Sequence, residues 1–300
     1  MPELPEVETV RTSLIPDVLG QVVEAISLGA FTGVIGDMPP EMFSAATVGR
    51  RIIAVDRRGK YLALRLDDDS ALLIHLRMTG QLLLKDRRDP AIRFEHLALH
   101  LGGGRDLRFA DQRKFGRVLH CQSASIDHLD RRLGPEPLSR TFTARRLATV
   151  LARRTGKIKN VLLDQTVVAG LGNIYVDEAL FRARLHPLQP AQSLAMPEIR
   201  ELHRAIRSVL RQGIAHRGTT FSSYRDARGE DGENQRHLRV YGRGGRGEPC
   251  DRCATPLRRL VVGGRGTHIC SRCQPMIRID DNRCPDARSP QSSNRGPLKR

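Results

Sequence analysis

From about Val22 to Leu119 apolar residues fall in short runs that alternate or are β-rich, rather than recurring every three to four positions. Arg51-Ile52-Ile53-Ala54-Val55, Tyr61-Leu62-Ala63-Leu64-Arg65-Leu66 and Ala71-Leu72-Leu73-Ile74-His75-Leu76 are short, β-rich runs bounded by Gly, Asp and Arg clusters. They predict antiparallel strands, in a sandwich or barrel, over residues 22–119. A helix over residues 6–19 is expected ahead of them. Leu133-Gly134-Pro135-Glu136-Pro137 interrupts the pattern as a linker. Beyond it the spacing turns helical, over residues 144–153, 158–164, 174–185 and 197–212, each with a cap-like entry. Residues 218–236 are polar and aperiodic, and a loop of that length in a compact unit reads as functional. From residue 277 Arg, Asp, Pro and Ser dominate, which predicts a disordered tail with an idle thiol at Cys284. There is no internal repeat.

Charge narrows the class of partner. The 300 residues carry 50 Lys and Arg against 33 Asp and Glu, a formal net charge of +17, which points to a polyanion and first of all to nucleic acid. Part of the excess is an arginine bias, since only Lys60, Lys85, Lys114, Lys157, Lys159 and Lys299 are lysines. Each lysine is therefore a candidate for work that needs a compact amine able to give up a proton. Apolar residues suffice for two cores. With no leader peptide and no long apolar run, the chain is expected to be soluble and intracellular, not membrane-bound. In a reducing compartment six cysteines read as metal ligands plus spare thiols rather than disulfides.

Cys250-x-x-Cys253 and Cys270-x-x-Cys273, separated by sixteen residues, have the spacing of a zinc ribbon. Four thiolates leave no open position, so the zinc is expected to be structural, with His268 a spare ligand. Between the pairs, Val261 to Thr267 reads as a hairpin offering Arg265 at its tip. At the other end, trimming of Met1 would leave Pro2 as a secondary amine. Chain-terminal amines titrate near about 8, so a useful fraction is unprotonated at neutral pH. Such an amine can attack a sugar carbon and form an iminium, with Glu3 as general acid. The same residues also read as a proline-punctuated lead into a helix. Gly170-Leu171-Gly172-Asn173, behind Lys157 and Lys159, is either a phosphate grip built on helix-start amides and Asn173 or an ordinary helical hairpin. Met78 and Phe115 stand among polar neighbours at strand ends, as core filling or as wedges into a base stack.

Together these segments resemble the formamidopyrimidine-DNA glycosylase and endonuclease VIII family, the first branch closely. The resemblance runs in order through Pro2 to Val10, Arg58-Gly59-Lys60-Tyr61-Leu62, His75 to Gly80 and Asp111 to Gly116. It continues through Leu163-Asp164-Gln165, Gly170 to Tyr175, Gly218-Thr219-Thr220, Val240 to Arg243 and the cysteine ribbon with Gly264-Arg265-Gly266-Thr267. It implies an α+β multidomain chain: an N-terminal antiparallel β-sandwich with flanking helices (residues 1–133), a helix–two-turn–helix unit with a lesion-covering loop (138–236) and a zinc finger (237–276). The expected activity is removal of oxidised purines from duplex DNA followed by β,δ-elimination. The sister activity on oxidised pyrimidines, or a silent DNA-binding relative, stands as the alternative. By motif position the resemblance makes Pro2 the Schiff-base nucleophile and Glu3 its acid, with Lys60 and Arg265 serving elimination. His75, Asn173 and Tyr241 fall on phosphate contacts, with His96, Arg154 and Lys159 as further DNA-binding candidates. Met78, Arg113 and Phe115 correspond to the trio that fills the vacancy left by a flipped nucleotide, Arg113 reading the opposite cytosine. One structural zinc, no catalytic metal or organic cofactor, a monomer and a cytoplasmic, nucleoid-associated location are also expected. Two departures weaken the lesion assignment. Arg228-Gly229-Glu230-Asp231-Gly232-Glu233-Asn234 replaces the family's usual Asp-Gly-x-Pro-Gly, and Ser223 stands where an acidic residue is frequent.

Overall fold

In the computed structural model residues 1–276 are described, so the expected tail with Cys284 lies outside the described residues. Helix α1 (Leu4–Val18) starts with Pro5 in its first turn and a reciprocal cap, the Glu3 N–H donating to Glu6 Oε2 at 2.8 Å. Eight strands follow: β1 (Val23–Leu28), β2 (Ile52–Arg58), β3 (Tyr61–Leu66), β4 (Ser70–His75), β5 (Gln81–Asp86), β6 (Glu95–Leu101), β7 (Arg105–Ala110) and β8 (Arg117–Gln122). They form two antiparallel four-stranded sheets in the orders β1-β6-β7-β5 and β2-β3-β4-β8. Inward residues of both, including Leu62, Leu64, Leu72, Leu99 and Phe109, meet in one core. The expected sandwich is therefore present. Two short helices that periodicity did not reveal flank it, α2 (Pro40–Thr47) and α3 (Ser123–Arg132). In α2 only Phe43 and Thr47 are buried, too few anchors to register as an amphipathic repeat.

The expected change of period after the linker is realised as α4 (Ala144–Leu151), α5 (Ile158–Leu163), α6 (Asn173–Arg182) and α7 (Met196–Ala215), which share a second core. Helix α1 joins the two halves. Leu4 is buried in the helical core, while Val7, Val10, Leu14 and Val18 are buried in the sandwich core. Its first turn is thereby held at the junction. The segment between α7 and the last hairpin has only short 3₁₀ turns at Asn234–His237 and Gly244–Arg246. Strands β9 (Arg258–Val262) and β10 (Arg265–Ile269) then pair through Gly263 and Gly264, both in the left-handed region at φ 56° and 73°. Two such residues in a two-residue loop are what a tight hairpin of this twist needs. No helix among the described residues is long and apolar enough to cross a membrane.

Candidate active site and nucleic-acid interface

The amino terminus is sealed onto the start of α6. Leu4 N–H donates to Gly170 O at 3.0 Å, and the Glu3 carboxylate accepts from the N–H groups of Gly172 (2.7 Å), Ile174 (2.8 Å) and Tyr175 (3.4 Å). This approach explains the two glycines. Gly170 has φ 85°, and a Cβ there would meet Leu4 at 2.7 Å; a Cβ on Gly172 would collide with the Glu3 side chain. The structure therefore corrects one expectation. The helix-start amides are not a grip for a phosphate, because the chain's own Glu3 already occupies them. That carboxyl is buried and titrates near 7, raised chiefly by burial against the lowering effect of Lys60. Glu6, also raised by burial, accepts from Tyr175 Oη and Thr219 N–H, both at 2.7 Å. Lys60 sits on the β2–β3 turn, which Glu136 fixes by accepting from Gly59 N–H and from Arg57. Its ammonium is destabilised by burial and by Arg265, and stabilised by Glu3. Pro2 is buried beside Glu3. Met1 caps it with a peptide bond and lies in the adjoining cleft.

That cleft encloses about 770 Å³. One wall is sandwich (Arg77, Met78, Phe115, Arg117); the other is helix, loop and hairpin (Asn173, Ile174, Phe221, Tyr241, Arg265). Met78 and Phe115 are 41% and 49% exposed, so neither fills the core. Buried Asp111 sets both loops, accepting from Thr79 Oγ1 on one side and from the N–H groups of Arg113 (3.1 Å), Phe115 (2.8 Å) and Gly116 (2.7 Å) on the other. Arg113 lies over the Phe115 ring at 5.1 Å. His75 Nδ1 accepts from Arg77 N–H at 2.9 Å, and burial with Arg77 and Lys60 pushes its pKa down to about 3. A neutral ring leaves Nε2–H as a donor.

The four cysteine sulfurs lie within 4.8 Å of one another, with Cys253 3.5 Å from Cys270 and from Cys273, and Cys250 3.9 Å from Cys273. A tetrahedral zinc with bonds of about 2.3 Å requires sulfurs about 3.8 Å apart, so the set fits. His268 stands outside it, its ring edge-on to Tyr241 at 5.0 Å.

Comparison with known proteins agrees with this geometry along the chain. Residues 1–118 match the model of the formamidopyrimidine-DNA glycosylase N-terminal domain, 133–225 that of the H2TH domain of the same enzymes, and 247–275 that of a zinc finger found in FPG and IleRS. A formamidopyrimidine-DNA glycosylase of Herpetosiphon aurantiacus is 51% identical over 91% of this chain and 100% of its own length. The chain belongs to the formamidopyrimidine-DNA glycosylase family. Among solved structures, Lactococcus lactis Fpg in complex with abasic-site DNA superimposes with a TM-score of 0.85 at 37% identity, over 91% of this chain and 100% of that one. MutM (FPG) of Thermus thermophilus gives a TM-score of 0.81 at 43% identity, over 91% and 98%.

Within this member of the glycosylase family two expected DNA contacts lie away from the surface. Lys159 is fully buried, its Nζ donating to Asp177 Oδ1 (2.6 Å), Thr267 Oγ1 (2.7 Å) and Gly266 O (3.2 Å). It bolts the Arg265 hairpin to α6. His96 is buried and donates from Nε2 to Asp111 O at 2.8 Å, so it supports the Arg113 loop from behind. Arg154 is partly exposed, pairs with Asp164 at 3.4 Å and stands outside the cleft. Asn173 lines the cleft but spends its Nδ2 on Gly266 O (2.9 Å). Sequence reading missed Glu6, Asp111, Tyr175, Asp177 and Glu178. Glu178 accepts from the N–H groups of Arg239, Val240 and Tyr241 and so places Tyr241. A usable signal existed: Asp177 and Glu178 interrupt the otherwise apolar stretch Ile174–Phe181, and acids inside an apolar run need partners.

Proposed function

We propose that this chain, a DNA glycosylase of base-excision repair, removes oxidised purines through the Pro2 amine and then cuts the strand on both sides of the sugar. The observation that carries this reading is Glu3: a carboxyl beside Pro2, held by three backbone N–H groups and raised to about 7. A group titrating there is a proton donor at neutral pH. Loss of Met1 would free the Pro2 nitrogen in a cleft lined by Arg77, Arg117 and Arg265 and by the exposed apolar side chains Met78 and Phe115.

The chemistry then closes on this chain's own groups. The Pro2 nitrogen bonds to C1′, and the base leaves with the electron pair of the broken glycosidic bond and a proton. Glu3 gives its proton to the ring oxygen as the C1′–O4′ bond breaks; the proton taken up by the base is the one the nitrogen sheds, and an iminium remains. The iminium acidifies the C2′–H bond, so that proton loss expels the 3′ phosphate; a second proton loss, at C4′, expels the 5′ phosphate. Water returns the amine. Lys60 and Arg265 serve the departing phosphates, Met78, Arg113 and Phe115 fill the vacated stack, and His75, Asn173 and Tyr241 hold the backbone. Salt-sensitive affinity for DNA comes from the net charge. The four cysteines would hold one structural zinc, which keeps the hairpin folded and takes no part in the reaction. On this reading the enzyme acts as a monomer, in the cytoplasm, on the nucleoid.

Duplexes with 8-oxoguanine, a formamidopyrimidine or an oxidised pyrimidine test the assignment. Rapid release of the two purine lesions with a one-nucleotide gap is expected. Preferential release of the pyrimidine, or release without strand cutting, would refute it.

A further inference from the structure

A second basic surface lies on the long helix behind the cleft. Leu202, Ile206 and Val209 turn one face of α7 into the helical core, and Gly213 lets it press against Tyr175 of α6. Helix α6 lends Asn173 and Ile174 to the cleft, whereas α7 lends none of its lining residues. The opposite face of α7 carries Arg200, Arg204, Arg207 and Arg211. Spaced at i, i+4, i+7 and i+11, they fall within roughly 60° of the helix circumference and along about 16 Å of its axis. Like charges three and four residues apart weaken a helix, and this row has little to offset them. Glu201 pairs with Arg204; Arg200, Arg207 and Arg211 form no ion pair among the described residues. Arg207 is kept in the row by donating to Pro137 O and Ser139 O, both at 2.8 Å, although burial and Arg211 disfavour its charge. The turn that it grips adds exposed Arg140, and His203 clamps the same turn by bonding Phe142 O at 2.8 Å.

An ordered, self-repelling row of guanidinium groups gains from a linear array of anions. None of the large apolar side chains exposed among the described residues lies on α7 or on the 137–142 turn, so the surface lacks the anchors that a protein partner or a membrane would need. We propose that the α7 arginine row is a second DNA-binding surface, which takes the phosphate backbone of another duplex segment while the cleft holds the first. Guanidinium-to-phosphate contacts carry no sequence information, so this surface grips any duplex and leaves damage recognition to the cleft. Its consequence is direct handover between DNA segments during the search, without complete dissociation.

The test uses full-length, zinc-loaded protein whose cleft is saturated with a labelled duplex carrying a stable abasic-site analogue. An undamaged duplex with a second label is then titrated in, at salt from 50 to 200 mM. Three proteins are compared: wild type, the triple variant Arg200→Gln, Arg204→Gln, Arg211→Gln, and the same three positions changed to Lys. Wild type should form a complex holding both labels. With about four phosphates neutralised, its affinity for the second duplex should fall roughly 150-fold across that salt range. The Gln variant, with Arg207 alone left in the row, should bind the second duplex at least tenfold more weakly at 50 mM and lose only about threefold across the range. The Lys variant should keep most of the wild-type salt dependence, and all three should release damaged base at one rate when enzyme is in excess. A cleft-saturated wild type that takes up no second duplex would overturn the proposal, as would a Gln variant with the wild-type salt slope. Uptake of poly-glutamate in place of the duplex would point to an acidic protein partner and would overturn it equally.

Discussion

Replacing Glu3 with Gln should remove a pH-dependent cost from the folded state. In the fold this carboxyl titrates near 7 instead of 4.5, mainly because burial disfavours its charged form. The folded protein thus binds a proton that the unfolded chain has already lost across that interval, and stability falls as pH rises through it. At about 1.4 kcal/mol per pH unit the loss reaches about 3 kcal/mol above pH 7 and vanishes below 4.5. The substituted amide would offer fewer acceptors to the Gly172 and Ile174 N–H groups, a penalty independent of pH, so the slope rather than the offset carries the information. Guanidinium unfolding of wild type and Glu3→Gln at intervals from pH 5 to 8.5 gives that slope. The difference in unfolding free energy should move by about 3 kcal/mol in favour of the variant as pH rises. Parallel curves would mean that Glu3 titrates as an ordinary carboxyl and would remove the ground for its role as acid. The same group sets a kinetic limb: base release by wild type should level off between about 7 and about 8, where gain of free Pro2 amine offsets loss of protonated Glu3, and decline tenfold per pH unit above that.

Three further outcomes are expected. Purified protein should carry one zinc per chain by elemental analysis, and Cys250→Ser should lose both the metal and DNA affinity, on the order of tenfold, as the Arg265 hairpin unfolds; metal-free protein that binds normally would contradict this. Wild type should excise 8-oxoguanine faster opposite cytosine than opposite adenine, and Arg113→Ala should narrow that ratio by about tenfold, the worth of a good paired base contact; an unaltered ranking of opposite bases would exclude the reading role. Lys159→Met should destabilise the fold by about 3–5 kcal/mol, because it leaves Asp177 buried and uncompensated, yet keep the wild-type salt dependence of DNA binding; a shallower slope would return Lys159 to the phosphate contacts.

What the sequence disclosed depended on the range over which each feature acts. Strand alternation, the change to helical spacing after residue 137 and the paired cysteines are local, and all are visible in the chain as written. The lysine argument also had content: Lys60 and Lys159 are buried, whereas Lys114 and Lys157 are exposed. It located two unusual sites without distinguishing an amine whose charge acts on Glu3 from a structural bolt. The contacts that make the site lie far apart in sequence. Glu3 meets Gly172 and Ile174 across about 170 positions, and Glu6 meets Thr219 across 213. No periodicity encodes such pairings, so Gly170 to Asn173 read equally as a phosphate grip or a helical hairpin, when the amides of Gly172, Ile174 and Tyr175 in fact receive a carboxylate. Asp111 is similar, since its motif was visible but its four-way role in aiming Arg113 and Phe115 was not.

The central claim is that the Pro2 nitrogen is the nucleophile, and one covalent measurement addresses it. Protein freed of Met1 is incubated with an 8-oxoguanine:cytosine duplex and borohydride, and the adduct is digested and mapped by mass spectrometry. The account predicts a stable protein–DNA adduct whose sugar is attached at Pro2, and its absence from protein that retains Met1. An adduct at Lys60 or any other lysine, or undiminished trapping with Met1 in place, would contradict it.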